Sequence, residues 1–395
     1  MNAPLRILIC AGEVSGDMHA AALLRALRQL LPAPPEVRGF GGDNLRAEGV
    51  ELLYHTDQTA VVGFVPVFLR ARFFSAMLRR MKREIDAWQP DLLLTVDYPG
   101  MNLRLAEHAH ARGVKTVHYI CPQVWAWHQS RIPKIARILD HLICLFPFEP
   151  ACFDGTGLRA TFAGHPLIDR IAETRAEAPP QLPWHNAAHR VALLPGSRAG
   201  EIRRCLPKML AAARDIETRL KNDGLGDVAF IAPSPTPAMR ALAEKIARRS
   251  NARPAHFELV DGNARHVLLQ AHAAAVASGT ATLEACLARC PAVLVYSINA
   301  ATGWVLRHFI TIKFAGLANI IAGREIMPEL LQSDFTAARL AQHLHPYLAD
   351  PGLAQKTREK YDAVAVQLGS GHASETAARQ ILEPFGKTGR GLSCP

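Results

Sequence analysis

The chain reads as an α/β protein built from two successive Rossmann-like halves with a cleft between them, and three observations predict this. Short apolar runs are repeatedly followed by a glycine- or proline-bearing loop and then a segment with helical spacing, the pattern of a parallel sheet. The pattern stops across 171–189 and restarts at Val191. The length, 395 residues, exceeds one ordinary core and suits two domains of roughly 150–200 residues.

The elements follow in order. Leu5–Ala11 is an apolar run, Gly12–Asp17 a turn-rich loop, and Met18–Leu31 carries apolar residues at helical spacing. Leu92–Val96 ends in Asp97-Tyr98-Pro99-Gly100, Thr116–Cys121 ends at Pro122, and His141–Leu145 stops before Phe146-Pro147. Ala176–His189 holds three prolines without periodicity and reads as part of a linker. Further strands are expected at Val191–Leu194, Val228–Ala232, His256–Val260, Ala274–Ala277 and Pro291–Ser297. From Phe335 to about Leu382 the composition is helical, and 384–395 reads as a disordered tail. The domains are therefore drawn as 1–170, a linker at 171–189, 190–345, and a helical segment 346–383.

Composition narrows the partners. Lys and Arg exceed Asp and Glu by 45 to 35, a net +10, which favours an anionic partner. The eight cysteines form no C-x-x-C pair. With no signal-peptide pattern at the N-terminus, reduced thiols in a cytoplasmic protein are expected. No apolar run reaches the ~18–20 residues that span a bilayer, so membrane contact is expected to be peripheral.

In open parallel sheets ligands bind at the carboxyl ends of strands, so the loops there are the candidate site. Gly12–Asp17 (GEVSGD) lacks both a Walker A and a G-x-G-x-x-G pattern. It suits an anion or a hydroxyl-rich ligand at a helix N-terminus, or is a tight turn with Ser15 or Asp17 as N-cap. Gly39-Phe40-Gly41-Gly42 reads as a second loop of this kind. Asp97 directly follows the largely apolar run Leu92–Val96. Burial there would raise its pKa and make it a general base for a sugar hydroxyl; the alternative is an Asx-turn shaping the Tyr98–Gly100 turn. Asn102 is a second polar group on that loop. Gln123, Trp125 and Trp127 in CPQVWAW form a cleft wall or, for the tryptophans, plain core.

In the second half, Gly196, Ser197 and Arg198 with Glu201 offer a glycine turn and a guanidinium that suit a diphosphate. Ser278, Gly279, Thr280 and Thr282 make a small-hydroxyl loop opening a helix, and Glu284 could accept from ribose hydroxyls. Two such loops without a dinucleotide fingerprint point to a nucleotide diphosphate-sugar. No Asp-x-Asp pair exists, and His108/His110 and His343/His345 have no partner ligands. No metal and no cofactor are expected, so Arg198, Arg324 and helix dipoles are left to neutralise the leaving diphosphate.

The run from Val61 to Arg83 interleaves Phe64, Val67, Phe68, Leu69, Phe73, Phe74 and Met77 with Arg70, Arg72, Arg79, Arg80 and further cations. This composition fits an interfacial helix on an anionic membrane, or a core helix with a solvated basic face. No nucleic-acid motif accompanies it.

These pieces, in this order, resemble the lipid-A-disaccharide synthase family of inverting GT-B glycosyltransferases. The matching stretches are Gly12–Asp17, DYPGMN at Asp97–Asn102, CPQVWAW at Cys121–Trp127, FPFEP at Phe146–Pro150, GHPL at Gly164–Leu167, Leu194–Arg198 with Glu201-Ile202, SGTATLE at Ser278–Glu284, and NIIAGREIMPELLQ at Asn319–Gln332. They span nearly the whole chain. Met101 stands where the family usually has Phe and Cys121 where Ser is common; His128 and Ala318 also depart.

The resemblance implies transfer of 2,3-diacylglucosamine from its UDP-activated form to 2,3-diacylglucosamine 1-phosphate. The products are a β-1′,6-linked disaccharide 1-phosphate and UDP. It also implies an acceptor-holding first domain, a nucleotide-holding second domain, C-terminal helices crossing back to the first, and residence at the cytoplasmic face of the inner membrane; a homodimer is left open. Asp97 is the first choice of base, with Glu13 and Asp17 as rivals. Ser15, Gly16, Asn102, Gln123, Trp125 and Trp127 are expected on the acceptor side, and Asn319, Arg324 and Glu329 at the donor. Two other readings stay open. One is a GT-B enzyme on a soluble UDP-sugar, such as a UDP-N-acetylglucosamine epimerase or a peptidoglycan-precursor transferase. The other is a non-catalytic membrane-binding protein on the same fold.

Overall fold

The computed structural model describes residues 4–59, 71–297 and 313–385. The chain divides into two compact units, Met1–Pro166 with Ser370–Pro395, and Leu167–Gly369.

The first unit carries β1 (Arg6–Ala11), α1 (Val14–Leu30), β2 (Glu36–Gly41), α2 (Asp43–Ala47), β3 (Glu51–His55), α3 (Thr56–Thr59), α4 (Ala71–Trp88), β4 (Leu92–Val96), α5 (Pro99–His110), β5 (Lys115–Tyr119), α6 (Ile132–Ile138), β6 (His141–Cys144) and β7 (Arg159–Phe162). Its seven strands are parallel in the order β3-β2-β1-β4-β5-β6-β7. The central strands β1 and β4 are largely apolar because both faces are covered. Ile7 and Ile9 point into one core with α1, while Leu8 and Cys10 point into another with Met77, Met81 and Ile85 of α4.

The second unit carries α7 (Leu167–Ala176), β8 (His189–Leu194), α8 (Ala199–Asn222), β9 (Val228–Ser234), α9 (Pro237–Arg249), β10 (Phe257–Asp261), α10 (Ala264–Gln270), β11 (Ala273–Ala277), α11 (Thr280–Leu287), β12 (Ala292–Tyr296), α12 (Leu317–Ala322), β13 (Glu329–Leu331), α13 (Ala337–Ala349) and α14 (Pro351–Gln367). Six parallel strands run β10-β9-β8-β11-β12-β13. Val191, Leu193, Phe230, Ala275 and Val293 pack against α8 and α13 on one face. The chain then returns to the first unit as α15 (Ala373–Leu382), whose Ala377, Ala378, Ile381 and Leu382 enter the core beneath α1.

Four differences from the sequence reading have physical causes. The Gly39–Gly42 loop is instead mostly β2: Gly39 lies where a Cβ would overlap the Ile9 carbonyl oxygen, so glycine permits the strand's approach. The edge strands β3, β7 and β13 are short and only partly apolar, so they give a weak pattern. Part of the expected linker is helix α7, whose Leu167 and Ile171 are buried. Of the segment 346–383, only α15 and the turn after it belong to the first unit, since α13 and α14 lie in the second.

Candidate functional site

In the first unit the candidate residues sit at the carboxyl ends of β1, β4, β5 and β6. Asp97 and Tyr98 both adopt left-handed backbone, with φ of 51° and 49°, a conformation that is costly without glycine. Two contacts hold it. Asn102, fully buried, donates from Nδ2 to the Asp97 carbonyl at 2.7 Å and reaches the Cys10 and Val96 carbonyls at 3.3 Å. The Tyr98 ring lies against Gly12, where any Cβ would overlap it. Asn102 is therefore a clamp on the loop, not the acceptor-side contact expected of it.

The clamp aims Asp97 into a cavity of about 270 Å³ lined also by Gln123, Trp127, Arg131, Phe146 and Glu149. Burial pushes the Asp97 carboxyl above its ordinary value, against one backbone hydrogen bond that lowers it. Trp127 is 48% exposed and forms part of the wall. Trp125 is absent from that lining; its indole Nε1–H donates to Glu149 Oε1 at 3.1 Å. Glu13 and Ser15 are exposed at the start of α1, and Gly16 is buried with a Cβ position 3.9 Å from the Asp97 Cβ.

Asp17 is excluded as a base. It is 1% exposed and accepts from the Gly42 amide at 2.6 Å, the Asn44 amide at 2.9 Å, Asn44 Nδ2 at 2.8 Å and the Leu45 amide at 3.3 Å. It caps α2 from α1, and its lone pairs are committed. Neither Ser15 nor Asp17 caps α1, since Glu13 holds that position with no side-chain bond.

Glu149 is the residue that the loop-by-loop reading passed over. It is 2% exposed, and burial pushes it up to about 7 against three hydrogen bonds. Its carboxylate, Cys121 Sγ and Cys144 Sγ lie within 4.8 Å of one another. The signal available was the lone acid inside the aromatic run Phe146-Pro147-Phe148-Glu149-Pro150.

In the second unit a cavity of about 620 Å³ gathers Gly196, Ser197, Arg198, Glu201, Ser278, Gly279, Thr280 and Glu284. Five residues expected at the donor are placed otherwise. Glu201 Oε2 accepts the Ser197 and Arg198 amides at 3.0 and 3.2 Å, so it shapes the loop, and the Arg198 side chain, 85% exposed, carries its charge. Thr282 is buried and donates to the Gly279 carbonyl at 2.8 Å. Asn319 is buried, donating to Met327 O and Glu329 Oε1 and accepting the Ile326 and Met327 amides. Glu329 also accepts the Ala315 and Gly316 amides, capping α12. Asn319 and Glu329 thus fix a loop that meets Ser278 through the Ala315 carbonyl. Arg324 is exposed and does not line the cavity.

Among the lining residues that the sequence did not mark are Arg265, His266 and Asn263. Arg265 donates to Thr174 and lies 3.9 Å from Glu284, His266 pairs with Glu177 at 2.9 Å, and Asn263 has left-handed backbone. Glu284 is raised by burial and lowered by Arg265 and Arg170.

Of the basic apolar run, Phe64, Val67, Phe68, Leu69 and Arg70 lie outside the described residues. Met77 is fully buried in the core and cannot dock on a membrane. Phe73 packs edge-on against Tyr54 at 6.2 Å, with Phe74 5.5 Å away and the Arg80 guanidinium over Tyr54. Arg72, Arg79 and Arg80 are exposed. Among the described residues no helix is long and apolar enough to cross a membrane.

Comparison with known proteins agrees with this arrangement. Among solved structures, a UDP-GlcNAc 2-epimerase from Neisseria meningitidis bound to UDP-GlcNAc superposes with TM-score 0.62 at 9% identity, covering 96% of this chain and 100% of that one. MurG of Acinetobacter baumannii gives 0.56 at 14%, covering 96% and 100%. These likenesses carry the fold alone, the two-unit GT-B class. Lipid-A-disaccharide synthase of Geobacter sulfurreducens is 37% identical over 388 residues, covering 98% of this chain and 99% of the relative. That of Myxococcus xanthus is 36% identical over 385 residues, covering 97% and 98%. The family model described as lipid-A-disaccharide synthetase matches residues 7–383. By full-length match and by the loops just described, the chain belongs to the lipid-A-disaccharide synthetase family.

Proposed function

We propose that this glycosyltransferase of lipid A biosynthesis forms its disaccharide with Asp97 as general base. The acceptor is 2,3-diacylglucosamine 1-phosphate and the donor UDP-2,3-diacylglucosamine. The observation that carries the reading is the Asp97 carboxyl, half-buried at a strand end and aimed into a cavity by a strained loop. A carboxylate in that environment is more basic than one in water. It removes the proton of the acceptor 6-hydroxyl as that oxygen attacks the donor's anomeric carbon; UDP leaves from the opposite face, inverting the centre. Glu13, exposed beside this loop, is the remaining rival.

The second unit's cavity suits the nucleotide. Arg198 pairs with the diphosphate and takes up the charge that grows on the leaving group. Ser278 and Thr280 donate to phosphate oxygens at the start of α11, and Glu284 accepts from the ribose. The test is to incubate the protein with both acylated substrates and measure UDP and disaccharide. A soluble UDP-sugar alone should give no turnover, which separates this reading from an epimerase. Arg198→Ala should raise the UDP-sugar KM and lower kcat/KM by about 10–100-fold, as loss of a charge-assisted pair of about 1.5–3 kcal/mol requires. An unchanged kcat/KM would remove Arg198 from the donor site.

Both substrates carry acyl chains, so the exposed cations Arg72, Arg79 and Arg80 beside the half-buried Phe74 suit the surface of an anionic bilayer at the inner membrane's cytoplasmic side. Liposome flotation measures this. Phe74→Ser with Arg72→Ala and Arg79→Ala should lose binding to anionic vesicles while a Met77 variant should instead lose stability. Retained flotation by the triple variant would remove α4 from the docking surface.

A further inference from the structure

We infer that Glu149 is a positioning residue for the acceptor, tying the Cys121–Trp127 loop to the Leu145–Phe148 turn and so holding the cavity in front of Asp97 in one shape. The inference rests on the reading of the first unit as the acceptor-holding one.

The carboxylate joins two separate segments. Oε2 accepts the Leu145 and Phe146 amides, each at 3.0 Å, which fixes the turn after β6. Oε1 accepts the Trp125 indole N–H at 3.1 Å, which fixes the loop after β5. The Trp125 ring is then wedged edge-on against Phe146 and Phe148, at 6.4 and 5.3 Å, and those two rings stack on each other. The residues thereby placed, among them Gln123, Trp127 and Phe146, line the cavity into which Asp97 points.

Stability alone does not account for an acid here. Among the described residues no cation pairs with Glu149, so its charge is met only by N–H donors. A buried charge without a counter-ion is costly. What only a carboxylate supplies is acceptor capacity on both oxygens at once. A glutamine, whichever way its amide turns, presents N–H₂ either to the two backbone amides or to the indole, and one of the two segments is released. The arrangement therefore trades stability for a fixed wall, and the wall is that of the acceptor cavity.

Protonation works like the glutamine. With the group at about 7, falling pH places an O–H against one of its donors and loosens the wall. The thiols of Cys121, Cys144 and Cys152 sit beside it, and Asp97, His128 and Arg131 share the cavity. All of these, and the acceptor's own phosphate, are unchanged in a Glu149 variant, so the difference between variant and wild type isolates Glu149.

The test is steady-state kinetics of the full-length enzyme with both acylated substrates, varying each in turn. At pH 8, Glu149→Gln should raise the acceptor KM at least tenfold, with the UDP-sugar KM within twofold and kcat within threefold of wild type. Trp125→Phe, which removes only the indole donor, should raise the acceptor KM about threefold, and the double variant should be no worse than Glu149→Gln alone. Between pH 8 and pH 6 the wild-type acceptor KM should rise about tenfold more than that of Glu149→Gln, as a group titrating near 7 requires. The inference is overturned by an unchanged acceptor KM, by equal rises in both KM values, or by coincident pH profiles. If Glu149→Gln does not fold, Trp125→Phe decides: a selective acceptor KM rise supports the inference, and an unchanged one overturns it. A wild-type enzyme that releases no UDP from these substrates would instead sink the functional reading itself.

Discussion

Asp97→Asn should lower kcat/KM by about 10²–10⁴-fold, the usual worth of a placed general base, in a protein that stays folded. The substitution keeps the size of the side chain and leaves untouched the Asn102 bonds to the Asp97 carbonyl, which are made to the backbone. Only the proton acceptor is lost. Removing a buried carboxyl that desolvation disfavours should leave thermal stability at neutral pH equal or higher. The pH profile gives an independent check. Because burial raises Asp97, and the base acts only when ionised, wild-type kcat/KM should fall on the acid side with a midpoint above the ordinary carboxylate range. The asparagine variant should lose that contribution and keep only the acid-side fall that Glu149 imposes. Glu13→Gln, at an exposed position, should keep most activity. A large loss for Glu13→Gln with little for Asp97→Asn would move the base to Glu13.

Asp17→Ala should have the other large effect, on folding. Three amides of the Gly42–Leu45 turn and the Asn44 side chain lose their acceptor at once. Orphaned buried donors cost about 1–3 kcal/mol each, and partial re-solvation of the turn leaves a net loss of about 3 kcal/mol. Chemical denaturation measures it as a lowered midpoint. Whatever fraction remains folded should turn over substrate at close to the wild-type kcat. A variant of full stability with kcat reduced a hundredfold would return Asp17 to the catalytic group.

The contrast between these two aspartates shows what was legible. Both follow apolar strands within a few residues in sequence, Asp97 on a loop and Asp17 in the first turn of α1, and nothing in residue type separates them. β4 and β8 were readable because Leu92–Val96, with Thr95 its one polar residue, and Val191–Leu194 are apolar runs ahead of a loop. β2 was not, because Gly39 and Gly41 mark a close approach between strands, which looks like a turn when only the sequence is seen. The return of α15 to the first unit came only through family resemblance, since its partner α1 is more than 340 residues away in sequence. For the site, the sequence located the loops but not the division of labour inside them. Asn102, Glu201, Thr282, Asn319 and Glu329 all have polar side chains spent on backbone groups. Hydrogen-bond partners are set by tertiary placement, so residues that touch ligand and residues that brace a loop look alike in one dimension. Glu149 was hidden for the converse reason: its acid is surrounded by aromatics that read as core.

The helix α15 has one more consequence. Ala377, Ala378, Ile381 and Leu382 plug the apolar flank of α1, and Gln380 bonds Thr161 and the Phe162 carbonyl at the sheet's outer strand. A ribosome delivers these residues only after the entire second unit has been made. Until then the nascent first unit carries an open seam along α1 and β7, so it must wait, incompletely sealed, for its own last piece. Trimming the chain ahead of Ala373 should therefore damage the half that was synthesised first, and leave the later-made half intact.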